Sequence, residues 1–270
     1  MRIVRFKYRG RAQYGVIDGE RIRALTMNPF RAFQDGRDLE ELVSSAIEIE
    51  AEKTKLLPPC EPGKYLGIGI NYRATAEALG LPVPESPLVY VRPPNSIVGD
   101  GDAIPIPSDG EVVSEGELAV VVGRRMRDVD ERDVRRHVLG YTLTNDLMDV
   151  RRFHLDNGNP TLAKGQDGFA PLGPCIATRI DLAGAELSTF VNGVRMQNGF
   201  VRDMIFGIEH CVSHVSRFMT LEPGDVVAMG CPPVPAKIAP GDLVEIHCAG
   251  IGTMKNMVTE RRASSDSRDV

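Results

Sequence analysis

Apolar and polar residues alternate along Arg2–Tyr8 and again along Ala12–Ile17. That is the period-two pattern of strands, with Arg9-Gly10 as the turn between them. Asp18-Gly19 marks a second turn ahead of another short strand, Arg21–Leu25. From Leu39 to Lys53 the residues Leu39, Leu42, Val43, Ala46 and Ile47 recur at helical spacing, which predicts a helix. Pro58-Pro59 and Pro62-Gly63 then break the pattern. A small N-terminal domain, residues 1–57, is thereby set off from a larger one, residues 58–258. The polar tail, residues 259–270, is expected to be disordered.

In the larger unit Tyr65–Ile70 reads as a strand, and Asn71–Leu79 as a short helix closed by Gly80. Five prolines between Leu81 and Pro94 exclude a helix or a central strand, so Leu88–Val91 is at most an edge strand. Leu118–Val122 is an unbroken run rich in β-branched residues and predicts a buried strand. Asp130–Val138 reads as helix, Tyr141–Thr144 as a strand ending on Asn145-Asp146, and Asp146–Pro160 as a polar connection. Glu186–Val191 and Val194–Gln197 flank Asn192-Gly193, a strong hairpin signal. Ile208–Phe218 has the pattern of an amphipathic helix, and Pro-Gly-Asp turns introduce the strands Val226–Met229 and Leu243–Cys248.

Glu115 and Glu117 stand two apart at the mouth of the Leu118–Val122 strand. Extended residues two apart share a face, about 7 Å from each other along the chain. One reading is an exposed strand edge, with Asp146 a turn former. The other is a cation site: two carboxylates so close repel, burial adds a desolvation cost, and a cation removes both problems. With Asp146 they would form an all-oxygen set suited to Mg²⁺, Mn²⁺ or Ca²⁺ more than to Zn²⁺.

Composition narrows the classes. A net charge of -5 with no basic run gives no sign of a nucleic-acid-binding surface. No apolar stretch approaches the roughly 18 residues of a membrane helix. The basic N-terminus lacks the apolar segment of a signal peptide. Five scattered cysteines without C-x-x-C spacing fit free thiols in the cytoplasm. The Gly67-Ile68-Gly69 turn lacks the third glycine of a dinucleotide fingerprint. His210 and His214 share a helix face, but without a third ligand they read as structural.

Several segments in order resemble the fumarylacetoacetate hydrolase superfamily. They are G-I-G-I-N-Y (Gly67–Tyr72), E-G-E-L-A-V-V-V-G (Glu115–Gly123), G-Y-T-L-T-N-D (Gly140–Asp146), K-G-Q-D-G-F-A-P-L-G-P (Lys164–Pro174), V-N-G (Val191–Gly193), D-M-I-F (Asp203–Phe206), S-R-F-M-T-L-E-P-G-D (Ser216–Asp225) and G-I-G-T-M-K-N (Gly250–Asn256). The resemblance implies an α+β fold: a mixed, mostly β roll of curled sheets with peripheral helices, usually a homodimer. It implies a divalent metal on Glu115, Glu117 and Asp146, with Lys164 as a catalytic cation. Asn71, Tyr72, Arg151, Gln166, Gly230 and Cys231 fall at or beside the places where the family meets its substrate, a small 2-oxo carboxylate or β-diketone; the plainer readings are a small buried cysteine at Cys231 and a solvated surface lysine at Lys164.

The departures from the family pattern bear on reaction type. Hydrolases of the family commonly carry N-Y-x-x-H-A-x-E, whose His–Glu pair activates water. Here Thr75 and Ala78 stand in those places and Glu77 is one residue early. The arginine four residues after the metal aspartate is Val150, with Arg151 and Arg152 beside it, and T-G-T-P is replaced by Met229-Gly230-Cys231-Pro232. The short loop between Pro232 and Pro240 resembles the 2-hydroxyhepta-2,4-diene-1,7-dioate isomerase/decarboxylase branch. The expectation is metal-stabilised enolate chemistry on a 2-oxo acid or hydroxydienoate of aromatic breakdown, with Lys164, Glu77 or His154 carrying the proton. C–C hydrolysis of an acylpyruvate is the alternative, and a non-catalytic binding protein is the reading from another class.

Overall fold

A computed structural model describes residues 1–261. Its organising strand is Gly116–Val122, buried along its whole length. Leu118, Val120 and Val122 face one core, shared with Cys211, Val212 and Val215 of the Ile208–Phe218 helix and with Leu187 and Ile246 of a second sheet. Ala119 and Val121 face another, packed with Phe30, Ala170, Leu172 and Val226. Burial on both faces is why this stretch reads as a continuous apolar run and not as an alternation.

The large sheet contains 12 strands. Its path runs from Val43–Glu50 through Arg21–Leu25, Arg11–Asp18 and Arg2–Tyr8, then Ala170–Ala177, Val138–Asn145, Gly116–Val122, Val226–Ala228 and Tyr65–Gly69, to Leu88–Arg92. Neighbours along this path are antiparallel except Val226–Ala228 with Tyr65–Gly69. A 5-stranded sheet orders Val194–Phe200, Glu186–Val191, Leu243–Cys248, Gly252–Glu260 and Ile104–Ile106, and a 3-stranded one joins Met148–Asp149, Val112–Ser114 and Ala236–Lys237. The helices are short and peripheral, so the architecture is the mixed, mostly β roll the resemblance implies. The leading strands share the large sheet: Arg2 pairs with Ala177 and Ile3 with Ile176, carrying it across the boundary near residue 57.

Local signals held where the element was strong. Ile208–Phe218 is a helix, and the hairpin turns at Asn192 and Gly193, both at positive φ (52° and 78°). Leu88–Arg92 is the edge strand. Three readings are corrected. Leu39–Lys53 is not a helix: a 3-10 turn, Glu40–Leu42, leads into the strand Val43–Glu50, where Ile22 pairs with Ile49. Ile47 and Ile49 alternate with Glu48 and Glu50, and sheet pairing prevails over the weaker helical spacing. The connection Asp146–Pro160 contains the helix Val150–Leu155 and leads into a second one, Pro160–Lys164. The strand Gly252–Glu260 extends into the predicted tail, its end paired with Ile104–Ile106; residues 262–270 lie outside the described residues.

Candidate active site

Glu115 links the strands Val112–Ser114 and Gly116–Val122, and Glu117 lies one residue inside the latter. Asp146 directly follows the neighbouring strand Val138–Asn145. Gly116 pairs with Asn145, and the Asp146 N–H donates to the Glu115 carbonyl at 2.8 Å. Two strand ends therefore bring Glu115 and Glu117 together, with Asp146 beside them across the Lys164 ammonium. Lys164 closes the helix Pro160–Lys164, started by the Asn159 side chain and by proline at its first position. Gly230 and Cys231 follow the strand Val226–Ala228 on the other side of Gly116–Val122. The Glu115 and Glu117 carboxylates and the Cys231 Sγ all lie within 4.8 Å of one another.

Lys164 ties the carboxylates together. Its Nζ donates to Glu115 Oε2 at 2.7 Å and to Asp146 Oδ2 at 2.5 Å. Asp146 is also held by Tyr90 Oη and by an ion pair with Arg92, both from the edge strand Leu88–Arg92. Arg92 is fully buried and donates further to the carbonyls of Lys164, Phe169 and Leu147, at 2.6, 2.7 and 2.5 Å. Gly67 gives Tyr90 its space, because a Cβ there would fall 2.1 Å from the Tyr90 ring. Glu117 receives one hydrogen bond, from the Gly230 N–H at 2.8 Å. Gly230 sits at φ +85°, and a Cβ on it would press on Asn71 Cβ at 2.8 Å.

The electrostatics follow from burial and neighbours. Burial raises Glu117 well above the usual carboxylate range, and the Asp146 charge adds to this. Burial also raises Glu115, with Lys164 opposing. Burial pushes Asp146 up as well, but Arg92 and Lys164 outweigh it and hold this carboxyl below its ordinary value. Burial would lower Lys164, yet Asp146 and Glu115 hold it above the ordinary lysine value, so the ammonium stays charged. Cys231 is raised well above a free thiol, by burial and then by Glu115 and Glu117.

A divalent cation fits between Glu115 and Glu117, whose oxygens lie within 4.8 Å of each other, while both Asp146 oxygens are engaged by Arg92, Lys164 and Tyr90. With all three carboxylates ionised, Lys164 and Arg92 would leave one negative charge uncompensated, and burial resists that charge at Glu117. Glu117, 2% exposed, has a single donor to satisfy it. A buried carboxylate so placed is costly as an anion unless a cation faces it. Glu115 and Glu117 offer the open oxygens, with Asp146 joined to them through Lys164.

The other sequence candidates divide. Asn71 is buried, but its side chain is taken up by backbone: it donates to Met229 and Phe206 carbonyls and accepts from the Phe206 N–H. Tyr72 is buried, with its hydroxyl unpaired among the described residues. Gln166 is half-buried next to the Lys164 helix. Arg151 is exposed and paired with Asp109 at 2.6 Å. Glu77 and His154 are both exposed. Thr75 is buried, and its hydroxyl donates to the Cys231 carbonyl at 3.0 Å. Sequence reasoning missed Tyr90 and Arg92. The one available signal was their two-residue spacing, which places both on one face of an otherwise apolar strand. The broad surface cleft of about 520 Å³ between Ala12 and Ile47 lies on the N-terminal strands and shares no residue with the cluster.

Comparison with known proteins places the chain as a whole. Residues 64–259 match the family model "Fumarylacetoacetate (FAA) hydrolase C-terminal", and residues 1–59 match "Rv2993c-like, N-terminal". The 4-hydroxyphenylacetate degradation bifunctional isomerase/decarboxylase of Escherichia coli is 32% identical over 94% of this chain, which spans 58% of that longer protein. The solved 2-hydroxyhepta-2,4-diene-1,7-dioate isomerase of Mycobacterium marinum superposes with a TM-score of 0.87 at 32% identity, covering 97% of this chain and 100% of its own. A maleylpyruvate hydrolase of Sphingobium sp. SYK-6, solved with manganese(II) and pyruvate, gives 0.82 at 26% identity over 97% of this chain and 100% of its own.

Proposed function

Because the chain belongs to the fumarylacetoacetate hydrolase family, we propose that it is a divalent-metal-dependent enzyme acting on a small 2-oxo acid or hydroxydienoate. The reaction is proton transfer or decarboxylation through an enolate, in preference to C–C hydrolysis. Glu115 and Glu117, with Asp146, would hold the cation. Magnesium or manganese suits the three carboxylates, and manganese accompanies the related hydrolase. When bound, the cation supplies Lewis acidity toward the adjacent oxygens of such a substrate.

The residues around it do the rest. Lys164 remains an ammonium beside the carboxylates and so adds fixed positive charge where negative charge develops. Arg92 and Tyr90 fix Asp146 from behind, so that its orientation is set before substrate arrives. The observation that carries the choice of reaction is the helix Arg73–Ala78. Thr75 turns its hydroxyl to the Cys231 carbonyl, Ala78 has no titratable group, and Glu77 is exposed. The buried residues of that helix, Thr75 and Ala76, offer no base to the carboxylate cluster. General-base assistance is typically worth 10²–10⁴-fold, so its loss weakens hydrolysis more than enolate formation.

The test is solvent-deuterium incorporation at the α-carbon of a 2-oxo acid, followed by NMR with Mg²⁺ present, beside product analysis with an acylpyruvate. Exchange faster than cleavage supports the reading. Efficient cleavage with little independent exchange supports the hydrolase instead. We further propose a cytoplasmic homodimer: the free, buried cysteines support a reducing compartment, and the dimer rests on the resemblance.

A further inference from the structure

The same cluster contains a donor that an all-oxygen site would not need. Cys231 Sγ lies within 4.8 Å of the Glu115 and Glu117 oxygens. The residue is 7% exposed. The thiols of Cys175, Cys211 and Cys248 each donate to a backbone carbonyl. The Cys231 thiol, like that of Cys60, has no hydrogen-bond partner among the described residues, while its own carbonyl is fixed by Thr75. Opposite it Glu117, 2% exposed, has one hydrogen bond for its two oxygens among the described residues. Two buried groups with spare coordinating capacity thus face each other across a gap of metal-site dimensions. Gly230 fixes both: its N–H holds Glu117, and its peptide bond leads directly to Cys231.

We propose that Cys231 is a ligand of the cation held by Glu115 and Glu117, so that the centre is a mixed oxygen–sulfur site. The inference rests on the metal-dependent reading above and refines it. A sulfur ligand moves preference away from Mg²⁺, which takes oxygen donors, and toward Co²⁺ and Zn²⁺. Coordination replaces the S–H bond by a sulfur–metal bond and releases the proton to solvent; no electron is transferred.

The experiment is a Co²⁺ titration of metal-stripped protein followed by absorption, with Zn²⁺ and Mg²⁺ affinities from calorimetry. Wild type should develop a thiolate-to-cobalt charge-transfer band that saturates at one ion per chain. C231S and C231T should keep the cobalt d–d bands and lose the charge-transfer band, and C248S should retain both. The Zn²⁺ affinity of C231T should fall by about tenfold or more, a loss that even second-layer partners of a metal site can produce. Its Mg²⁺ affinity should stay near that of wild type. Cobalt bound to wild type with d–d bands but no charge-transfer band overturns the cysteine ligand and leaves the carboxylate site standing. Wild type that takes up none of the three ions overturns the metal-dependent reading and this one together. Circular dichroism melts separate both outcomes from a failure of the variants to fold.

Discussion

Replacing Arg92 by methionine removes the cation that the fold has buried most completely. The guanidinium bonds three backbone carbonyls and pairs with Asp146, all without solvent. Taking one partner from a buried ion pair costs about 3–5 kcal/mol, because the other charge is left without compensation. Here Lys164 and Tyr90 still hold Asp146, which pulls the figure to the lower end. The carbonyls of Lys164, Phe169 and Leu147 lose donors as well, and each buried acceptor left bare adds to the cost. For a chain of this size about 3 kcal/mol corresponds to a fall in Tm of about 10 °C. R92K keeps the charge, but a single ammonium cannot reproduce the planar fork, so it should recover only part of the loss. Thermal melts at neutral pH read all three proteins. An R92M midpoint within about 2 °C of wild type would mean that Asp146 is fully compensated without the guanidinium, against the cost of a stranded buried charge.

Three further outcomes follow from the same contacts. Gly230→Ala should destabilise by about 1–3 kcal/mol and weaken metal binding, because a Cβ at φ +85° crowds Asn71 and shifts the N–H that holds Glu117; melts and Mn²⁺ titration check both parts. Thr75→Val should cost about 1 kcal/mol in denaturant unfolding through the lost bond to the Cys231 carbonyl and leave α-proton exchange at the wild-type rate; a collapse of exchange would make Thr75 a participant. Burial pushes the Cys60 thiol up to about 12, so above an unfolded value of about 8.5 the unfolded state releases a proton the folded state keeps. Stability should then fall as pH rises, by up to about 1.4 kcal/mol per unit from this group, and C60A should flatten that slope; equal slopes in the two proteins would contradict it.

What could be read in the chain was what short range determines. Asn192-Gly193 needs two positive φ angles that few other pairs tolerate, and Ile208–Phe218 keeps one apolar face for three turns. The Leu118–Val122 run could be read because burial on both faces strips a strand of polar residues. Val43–Glu50 was misread because Leu42, Val43, Ala46 and Ile47 satisfy the helical period until the pairing with Arg21–Leu25 decides the matter. At the site the E-x-E pair and Lys164 were visible as a motif. Arg92 and Tyr90 were not, because their role depends on a strand whose neighbour Tyr65–Gly69 carries Gly67 opposite the Tyr90 ring. Glu77 and His154 had suitable chemistry and proximity in sequence, but their elements leave them exposed.

Calorimetric titration with Mn²⁺ reads out the proposed cation site of Glu115, Glu117 and Asp146 without recourse to any substrate. Wild type should bind one Mn²⁺ per chain. E117Q keeps the shape of the side chain and an acceptor for the Gly230 N–H, but removes the buried charge. It should lower the affinity by at least about tenfold with its melting curve intact. Equal Mn²⁺ affinity in wild type and E117Q, or no binding to either, would contradict the account.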